Sequence, residues 1–343
     1  MTKKLGWGIL STGRIAGIFA QGLARAQHCR LVAVGSRTAE AAAKFAAAHG
    51  GPRAHASYEA LLADPEVEAV YIATPHPQHV EWTVKAAAAG KHVLCEKPIG
   101  LNYAEAMVMA EAARANGVLL MEAFMYRCHP QTAKIAELVK SGAIGEVKLI
   151  QATFSFNAPF NADSRLWADA LGGGGILDVG CYPVSFSRLI AGAAAGVPFL
   201  NPVAVSGAGH LHPQAGTDAY AAATLKFSHG IIAQVSCGVG LGQDSSARIY
   251  GSTGWIHVPS PWIPAGENVP CTFTLHQGGA QPEVITVTTP DHLYGLEADA
   301  FATALAAGAR DVPQMSVADT LGNMAVLDAW RAAIGLVYEA EQP

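Results

Sequence analysis

Charge is scarce in this chain. Asp, Glu, Lys and Arg make up 14% of its 343 residues, and the formal net charge is -5. No run of lysines or arginines occurs, which argues against a nucleic-acid partner or an anionic membrane surface. The cysteines are few and scattered. Cys29, Cys95, Cys128, Cys181, Cys237 and Cys271 form no C-x-x-C pair, so free thiols and a reducing compartment are expected. H-E-x-x-H and close Cys/His spacings are missing too, and no metal site is expected from His76, His79 and His129. Long apolar runs are interrupted. The longest uncharged stretch, "LIAGAAAGVPFLNPVAVSGAG", carries two prolines and several glycines and reads as a helix end plus a loop, not a membrane span. The opening "MTKKLGWGIL" is like a signal peptide only in part, because Arg14 breaks the apolar stretch and no convincing cleavage site follows. A cytoplasmic location is the expectation. Internal repeats and low-complexity linkers are also absent.

What is present is apolar and periodic. Hydrophobic residues make up 51%, and a chain of this length has room for two domains, expected at 1–122 and 123–343. In the first, "KLGWGIL", "LVAVGS", "AVYIAT", "HVLCEK" and "GVLLM" read as buried parallel strands. Helical stretches separate them. "GRIAGIFAQGLARA" places Ile15, Phe19 and Leu23 on one face, and "NYAEAMVMAEAARANG" opens on an Asn cap and closes on Gly117. Alternation of this kind predicts an α/β doubly wound sheet. The second half begins with a helix, "TAKIAELVKSGAIG", and then changes texture. "VKLIQATFSF", "DAYAAATLKFSHGIIAQVSCGV", "ARIYGSTGWIHV" and "CTFTLHQ" predict an open, mostly antiparallel sheet, with hairpin turns at 228–230 and 252–254. A helical insert is expected around "GGGGILDVGCYPVSFSRLIAG", and two closing helices at 294–307 and 317–338.

The first strand hands over to the first helix at "GILSTGRIAG". A turn in this place lets a backbone approach a pyrophosphate, and the helix behind it offers free N–H groups and a positive dipole end. The usual pattern is G-x-G-x-x-G. Here Ser11 takes the first glycine position, which requires a negative φ, Gly13 keeps the closest approach, and Ala16 takes the third. Ser11, Thr12, Gly13, Arg14 and Ile15 are the candidate phosphate-loop residues. The second strand ends in Ser36, Arg37 and Thr38 with no acid before Glu40. An acid would favour NAD through its ribose hydroxyl, whereas Arg37 suits a 2′-phosphate, so NADP(H) is the expected cofactor. The competing reading of Arg37 is an ordinary surface arginine at a helix start.

Two further stretches carry candidate chemistry. In "GKHVLCEKPIG" a strand runs into Glu96, Lys97 and Pro98, where strand ends of a doubly wound sheet line the cofactor crevice. Proline restrains the preceding lysine, and a cis Lys97–Pro98 bond is plausible. A lysine fixed there can bind a substrate hydroxyl and exchange a proton. In "GGGGILDVGCYPV", Asp178 and Tyr182 are four apart and share a helix face. Either they act on a substrate oxygen beside Lys97, or they belong to a buried structural helix. Arg165 and Trp167, just before the glycines, either cover a substrate or anchor a loop. Trp255 and Trp262 suit core or interface.

"ATPHPQHVEWTVKAAAAGKHVLCEKPIGLN", "MEAFMYRCHPQ" and "GGGGILDVGCYPV" together resemble the Gfo/Idh/MocA oxidoreductases over nearly the whole chain. The likeness is to the branch that includes dimeric dihydrodiol dehydrogenase, NADP-dependent D-xylose dehydrogenase and glucose–fructose oxidoreductase. That resemblance implies a Rossmann domain plus an open-sheet α+β domain. It implies Lys97 and Tyr182 as catalytic lysine and tyrosine, and Asp178 as an active-site aspartate. Thr74, Pro75, His76 and His79 would run along the cofactor, and Arg127 would lie near its nicotinamide end. It also implies a homodimer, or a higher homo-oligomer, through the second sheet. The expected activity is NADP(H)-dependent hydride transfer at a CH–OH carbon of a sugar, polyol or cyclic diol. A keto-sugar reductase and a non-catalytic NADP sensor are the alternatives. Retention of both Lys97 and Tyr182 favours an enzyme.

Overall fold

The structure is a computed structural model that describes residues 3–342. The first sheet is parallel, in the order β3-β2-β1-β4-β5-β6. Its strands are β1 (Leu5–Leu10), β2 (Cys29–Gly35), β3 (Arg53–His55), β4 (Ala69–Ile72), β5 (His92–Glu96) and β6 (Leu120–Ala123). The order reverses between β1 and β4, so their carboxyl ends open a crevice, the usual ligand position of such sheets. Around this sheet lie α1 (Arg14–Arg25), α2 (Ala39–Ala48), α3 (Tyr58–Leu62), α4 (His79–Ala88) and α5 (Tyr103–Asn116). Short polar side chains start several of them. Thr38 caps α2, Ser57 caps α3 and Asn102 caps α5, each accepting a backbone N–H three residues on.

The second sheet has the order β14-β13-β12-β11-β7-β10-β9-β8. Its strands are β7 (Val147–Ser155), β8 (Ala204–Leu211), β9 (Asp218–Lys226), β10 (Ile232–Gly238), β11 (Ala247–Gly251), β12 (Gly254–Val258), β13 (Cys271–Gln277) and β14 (Glu283–Val287). All neighbours run antiparallel except β7 and β10, as the alternating sequence predicts. The turns at 228–230 and 252–254 join antiparallel neighbours as expected. Alternation leaves one face apolar. It packs on α7 (Cys181–Ala195), which is entered through a π-helical turn at Ile176–Gly180, and α6 (Pro130–Lys140) packs on α7. The other face stays open and polar. It holds a shallow groove of about 680 Å³ lined by Gln151, Thr153, Ser206, Thr224, Gln234 and Arg248.

Two expectations are corrected. The uncharged stretch read as a helix end plus a loop does hold the end of α7, but its loop part contains most of β8. The strand is disguised by glycine: a Cβ on Gly207 would meet Trp330 at 3.0 Å and Ala222 O at 2.9 Å, so the helix α9 (Val317–Ile334) lies directly on the strand. The last helix ends at Ile334, four residues early, because Gly335 turns the chain with φ 74°. β6 ends at Ala123, and α8 (Leu293–Ala306) from the second half of the chain packs on α1. There Phe301 meets Trp7 edge to face at 5.2 Å, and Asp299 accepts the N–H groups of Gln27 and His28 at 2.7 Å each.

A buried charge cluster joins α7, α9 and the turn before α6. Asp319 accepts from Arg188 Nη1 at 2.5 Å and from Arg127 Nη2 at 2.6 Å, and all three side chains are almost fully buried. Removing the anion leaves two guanidinium groups without their shared partner. Asp319→Asn is therefore expected to cost about 3–5 kcal/mol, read from urea unfolding. A loss under about 1 kcal/mol would show that Asn201 and the surrounding carbonyls carry these arginines alone.

Candidate active site

Lys97 leaves the end of β5 on a turn held from three sides. Glu96 accepts the Lys97 N–H at 3.2 Å, Glu122 of β6 accepts the Ile99 N–H at 3.0 Å, and His79 Nδ1 lies 3.0 Å from Pro98 O. The Lys97–Pro98 bond is cis, as proposed from sequence. Nζ reaches across to the second domain. It donates to Asp178 O at 2.8 Å, stands 3.7 Å from Asp178 Oδ1, and lies 5.2 Å from the Tyr182 ring centre. Asp178 also accepts from Arg165 Nη1 at 2.8 Å. Burial opposes ionisation of Asp178, but Lys97 and Arg165 outweigh it and hold the carboxyl down at about 2. Asp178 thus stays an anion at neutral pH.

Tyr182 sits in an aromatic box, 5.1 Å from Phe124 and 5.2 Å from Phe154. Burial pushes its phenol well above the ordinary range, so the hydroxyl keeps its proton. Its partner is the Met125 thioether at 3.6 Å, a weak acceptor that leaves the proton available to a stronger one. The structure therefore brings Lys97, Asp178, Tyr182 and Arg165 together.

The glycines at 172–175 make this meeting possible. Gly174 has φ 110°, and a Cβ there would stand 2.2 Å from Asp218 Oδ1. Asp218 accepts the Ile176 N–H at 2.8 Å and so fixes the start of the helical segment. A Cβ on Gly172 would strike Leu101 at 2.4 Å, so the two functional loops touch directly. Burial pushes Glu122 up to about 8 and Asp218 up to about 7. Neither acid was singled out from sequence. The available signal for Glu122 was an acid inside the apolar run "LMEAF"; Asp218, at a strand start, gave none.

The crevice suits a nicotinamide dinucleotide. Gly13 begins α1 with no side-chain cap and no acid in the first turn, leaving its N–H groups for an anion. A Cβ there would meet only Ser11 Oγ, at 3.8 Å. Thr12 is half-buried, Arg14 exposed, and Ile15 packs against the core. Ser36 is buried, while Arg37 is exposed and has no carboxylate partner among the described residues. At the end of β4, Thr74 is buried with its hydroxyl unpartnered, a polar group awaiting a ligand; Pro75 beside it is exposed.

Several site expectations change. Ser11 adopts φ 96°, not the negative φ thought necessary. His79 is fully buried with its ring between Thr74 O at 2.9 Å and Pro98 O at 3.0 Å, where a neutral imidazole donates its one N–H to one of the two carbonyls. His76 is also buried and lies 3.3 Å from Gly172 O. Burial lowers these imidazoles to about 3 for His76 and about 4 for His79, so both are neutral. Arg127 is buried and directs its guanidinium to Asp319, Ser185 and Gln314, which places it in the buried charge cluster. Trp167 is 2% exposed and donates to Pro159 O, which favours the loop anchor. Trp262 is core. Among the described residues no group of three or more His, Cys, Asp or Glu is placed to hold a metal, and no helix is long and apolar enough to cross a membrane.

A serine at φ 96° is strained, and glycine relieves the strain. Ser11→Gly is expected to raise stability by about 1 kcal/mol in thermal or chemical melts. A fall would mean that the serine hydroxyl contributes more than the strain.

Comparison with known proteins agrees with this geometry. Residues 5–124 match the model described as "Oxidoreductase family, NAD-binding Rossmann fold", and residues 132–257 match the GFO/IDH/MocA C-terminal domain. Mouse (Mus musculus) trans-1,2-dihydrobenzene-1,2-diol dehydrogenase is 36% identical over 263 residues, 76% of each chain. The 3-ketoreductase KijD10 of Actinomadura kijaniata, solved with TDP-benzene and NADP, superposes with TM-score 0.83 at 26% identity, covering 97% of this chain and 98% of that one. Aldose-aldose oxidoreductase of Caulobacter crescentus gives TM-score 0.86 at 25% identity, covering 96% and 97%. A Rossmann-type first domain and an open-sheet second domain accord with these matches: the chain belongs to the Gfo/Idh/MocA oxidoreductase family.

Proposed function

We propose that this protein is an NADP(H)-dependent oxidoreductase acting on a secondary alcohol or hemiacetal carbon of a sugar, polyol or cyclic diol. The observation that carries the reading is Lys97 Nζ, held 2.8 Å from Asp178 O beside the Tyr182 ring at the mouth of the crevice. When bound, the nicotinamide supplies the hydride acceptor or donor. This chain manages the substrate oxygen. Lys97 binds it and steers its developing charge, while Asp178 keeps the ammonium oriented. In reduction Tyr182 donates its phenol proton to the carbonyl oxygen as hydride reaches the carbon, leaving a phenolate beside the Lys97 ammonium that solvent reprotonates; oxidation is the reverse, with Tyr182 first losing its proton to solvent and the phenolate then taking the hydroxyl proton. Arg165, exposed and paired with Asp178, stands at the entrance. Ser11 to Ile15 would receive the pyrophosphate, and Thr74 would bond the cofactor along the crevice. Arg37, free of any acid, would take the 2′-phosphate that distinguishes NADP from NAD. The likeness to a 3-ketoreductase favours a second reading, reduction of a keto-sugar by the same residues.

The test is absorbance at the reduced-nicotinamide band with NADP⁺ or NAD⁺ and a panel of aldoses, polyols and cyclic diols, run in reverse with keto-sugars and NADPH. Turnover is expected with NADP⁺ on one substrate class, and Lys97→Ala should lower it well over tenfold while NADPH still binds. Better turnover with NAD⁺ would overturn the role of Arg37. Normal turnover in Lys97→Ala would overturn that of Lys97. Tight NADPH binding with no turnover on any substrate would leave a sensor.

We also propose that the open sheet face seats a second copy of this chain. Tyr220 and Ile232 are 42% exposed on it, and Tyr250, Trp255 and His276 stack across adjacent strands. Sedimentation equilibrium should give twice the chain mass or a multiple of it. A monomer at micromolar concentration would sink the idea.

A further inference from the structure

The cluster depends on two loops from different parts of the chain, and a third segment bonds to both. After α9 the chain turns at Gly335 and runs back under the site. Tyr338 is fully buried, and its hydroxyl donates to Gly173 O at 2.7 Å, within the glycine run that leads to Asp178. The N–H of Glu339 donates to Asp169 Oδ1 at 2.9 Å, just before that run. Glu341 reaches the other way. Its Oε1 accepts from Asn102 Nδ2 at 2.8 Å, and Asn102 caps α5 directly after the Lys97 turn. Arg331 of α9 fixes the segment, bonding Glu341 at 2.7 and 3.0 Å and covering the Tyr338 ring at 4.9 Å. Burial keeps the Tyr338 phenol protonated and therefore a donor.

We propose that Tyr338 and Glu341 are positioning residues that clasp the glycine run to the Lys97 turn and so set the register between Lys97 and the Asp178–Tyr182 segment. The loops also meet directly: Lys97 Nζ donates to Asp178 O at 2.8 Å, and Leu101 lies in the space a Gly172 side chain would occupy. The first of these contacts comes from a long, flexible side chain and does not by itself fix the register of the two backbones. The clasp adds directional hydrogen bonds at both ends, one of them to a carboxylate. Neither residue touches the reacting atoms.

The inference rests on the proposed roles of Lys97, Asp178 and Tyr182, so its test reads position separately from turnover. Amide hydrogen exchange by mass spectrometry would be compared between the full chain and Tyr338→Phe, which loses one oxygen and keeps the ring. The expected result is at least fivefold faster exchange in two separate segments, 99–102 and 172–178. In Glu341→Ala the Lys97 turn should loosen most, and Glu341→Gln, which retains an oxygen for Asn102, should restore part of the protection. Once a substrate is found, kcat should fall about fivefold or more in Tyr338→Phe with KM for the cofactor unchanged. Faster exchange confined to 336–342 would overturn the proposal, as would unchanged kcat beside loosened loops. Loosened loops in a protein without turnover on any substrate would support the clasp and count against the oxidoreductase reading instead.

Discussion

An ammonium from the end of one sheet rests on the backbone and carboxylate of a helix that belongs to the other. That contact between Lys97 and Asp178 spans the domain boundary, and each partner is built to make it. The lysine cannot wander because Glu96, Glu122 and His79 hold the turn beneath it. The aspartate cannot retreat because Asp218 holds the N–H of Ile176 and the glycines bring their backbone against β9 and Leu101. Buried ion contacts of this kind need good geometry to offset desolvation. Here much of the surrounding structure serves that geometry.

The buried acids show how environment separates like groups. Glu96, Glu122, Asp218 and Glu297 are all raised, with desolvation as the leading cause. Asp178 is equally buried yet lowered, because Lys97 and Arg165 face it. Divergence of this kind among neighbouring carboxyls is characteristic of functional sites. For Asp178, whose pKa is depressed below its unfolded value, the stabilising effect of the charge is present above the ordinary aspartate range and is lost as pH falls towards 2.

Much of this was legible in the residues. Strand–helix alternation gave the parallel sheet, period-two alternation gave the antiparallel one, and the E-K-P and D-x-G-x-Y stretches marked the cluster. What stayed hidden depends on tertiary contact. Arg127 reads as a site residue from its own stretch, and its bond to Asp319, 192 positions away, places it in the buried charge cluster. Trp167 reads equally as a substrate cover or a loop anchor, and its burial against the strands with its indole N–H on Pro159 O favours the anchor. β8 carries too little bulk to look like a strand, because α9 occupies the space its side chains would need. Ser11 misled in the opposite direction, since the loop keeps the glycine conformation without the glycine.

The return of α8 to the first domain has a consequence for biogenesis. Trp7 is fully buried, but part of its cover is Phe301, nearly three hundred residues later. The exposed backbone at Gln27 and His28 likewise waits for Asp299. On the ribosome the nucleotide-binding half therefore emerges first and remains unfinished until most of the other half has been made. A nascent chain in this condition displays an aromatic surface during the interval, when chaperone engagement or aggregation competes with closure.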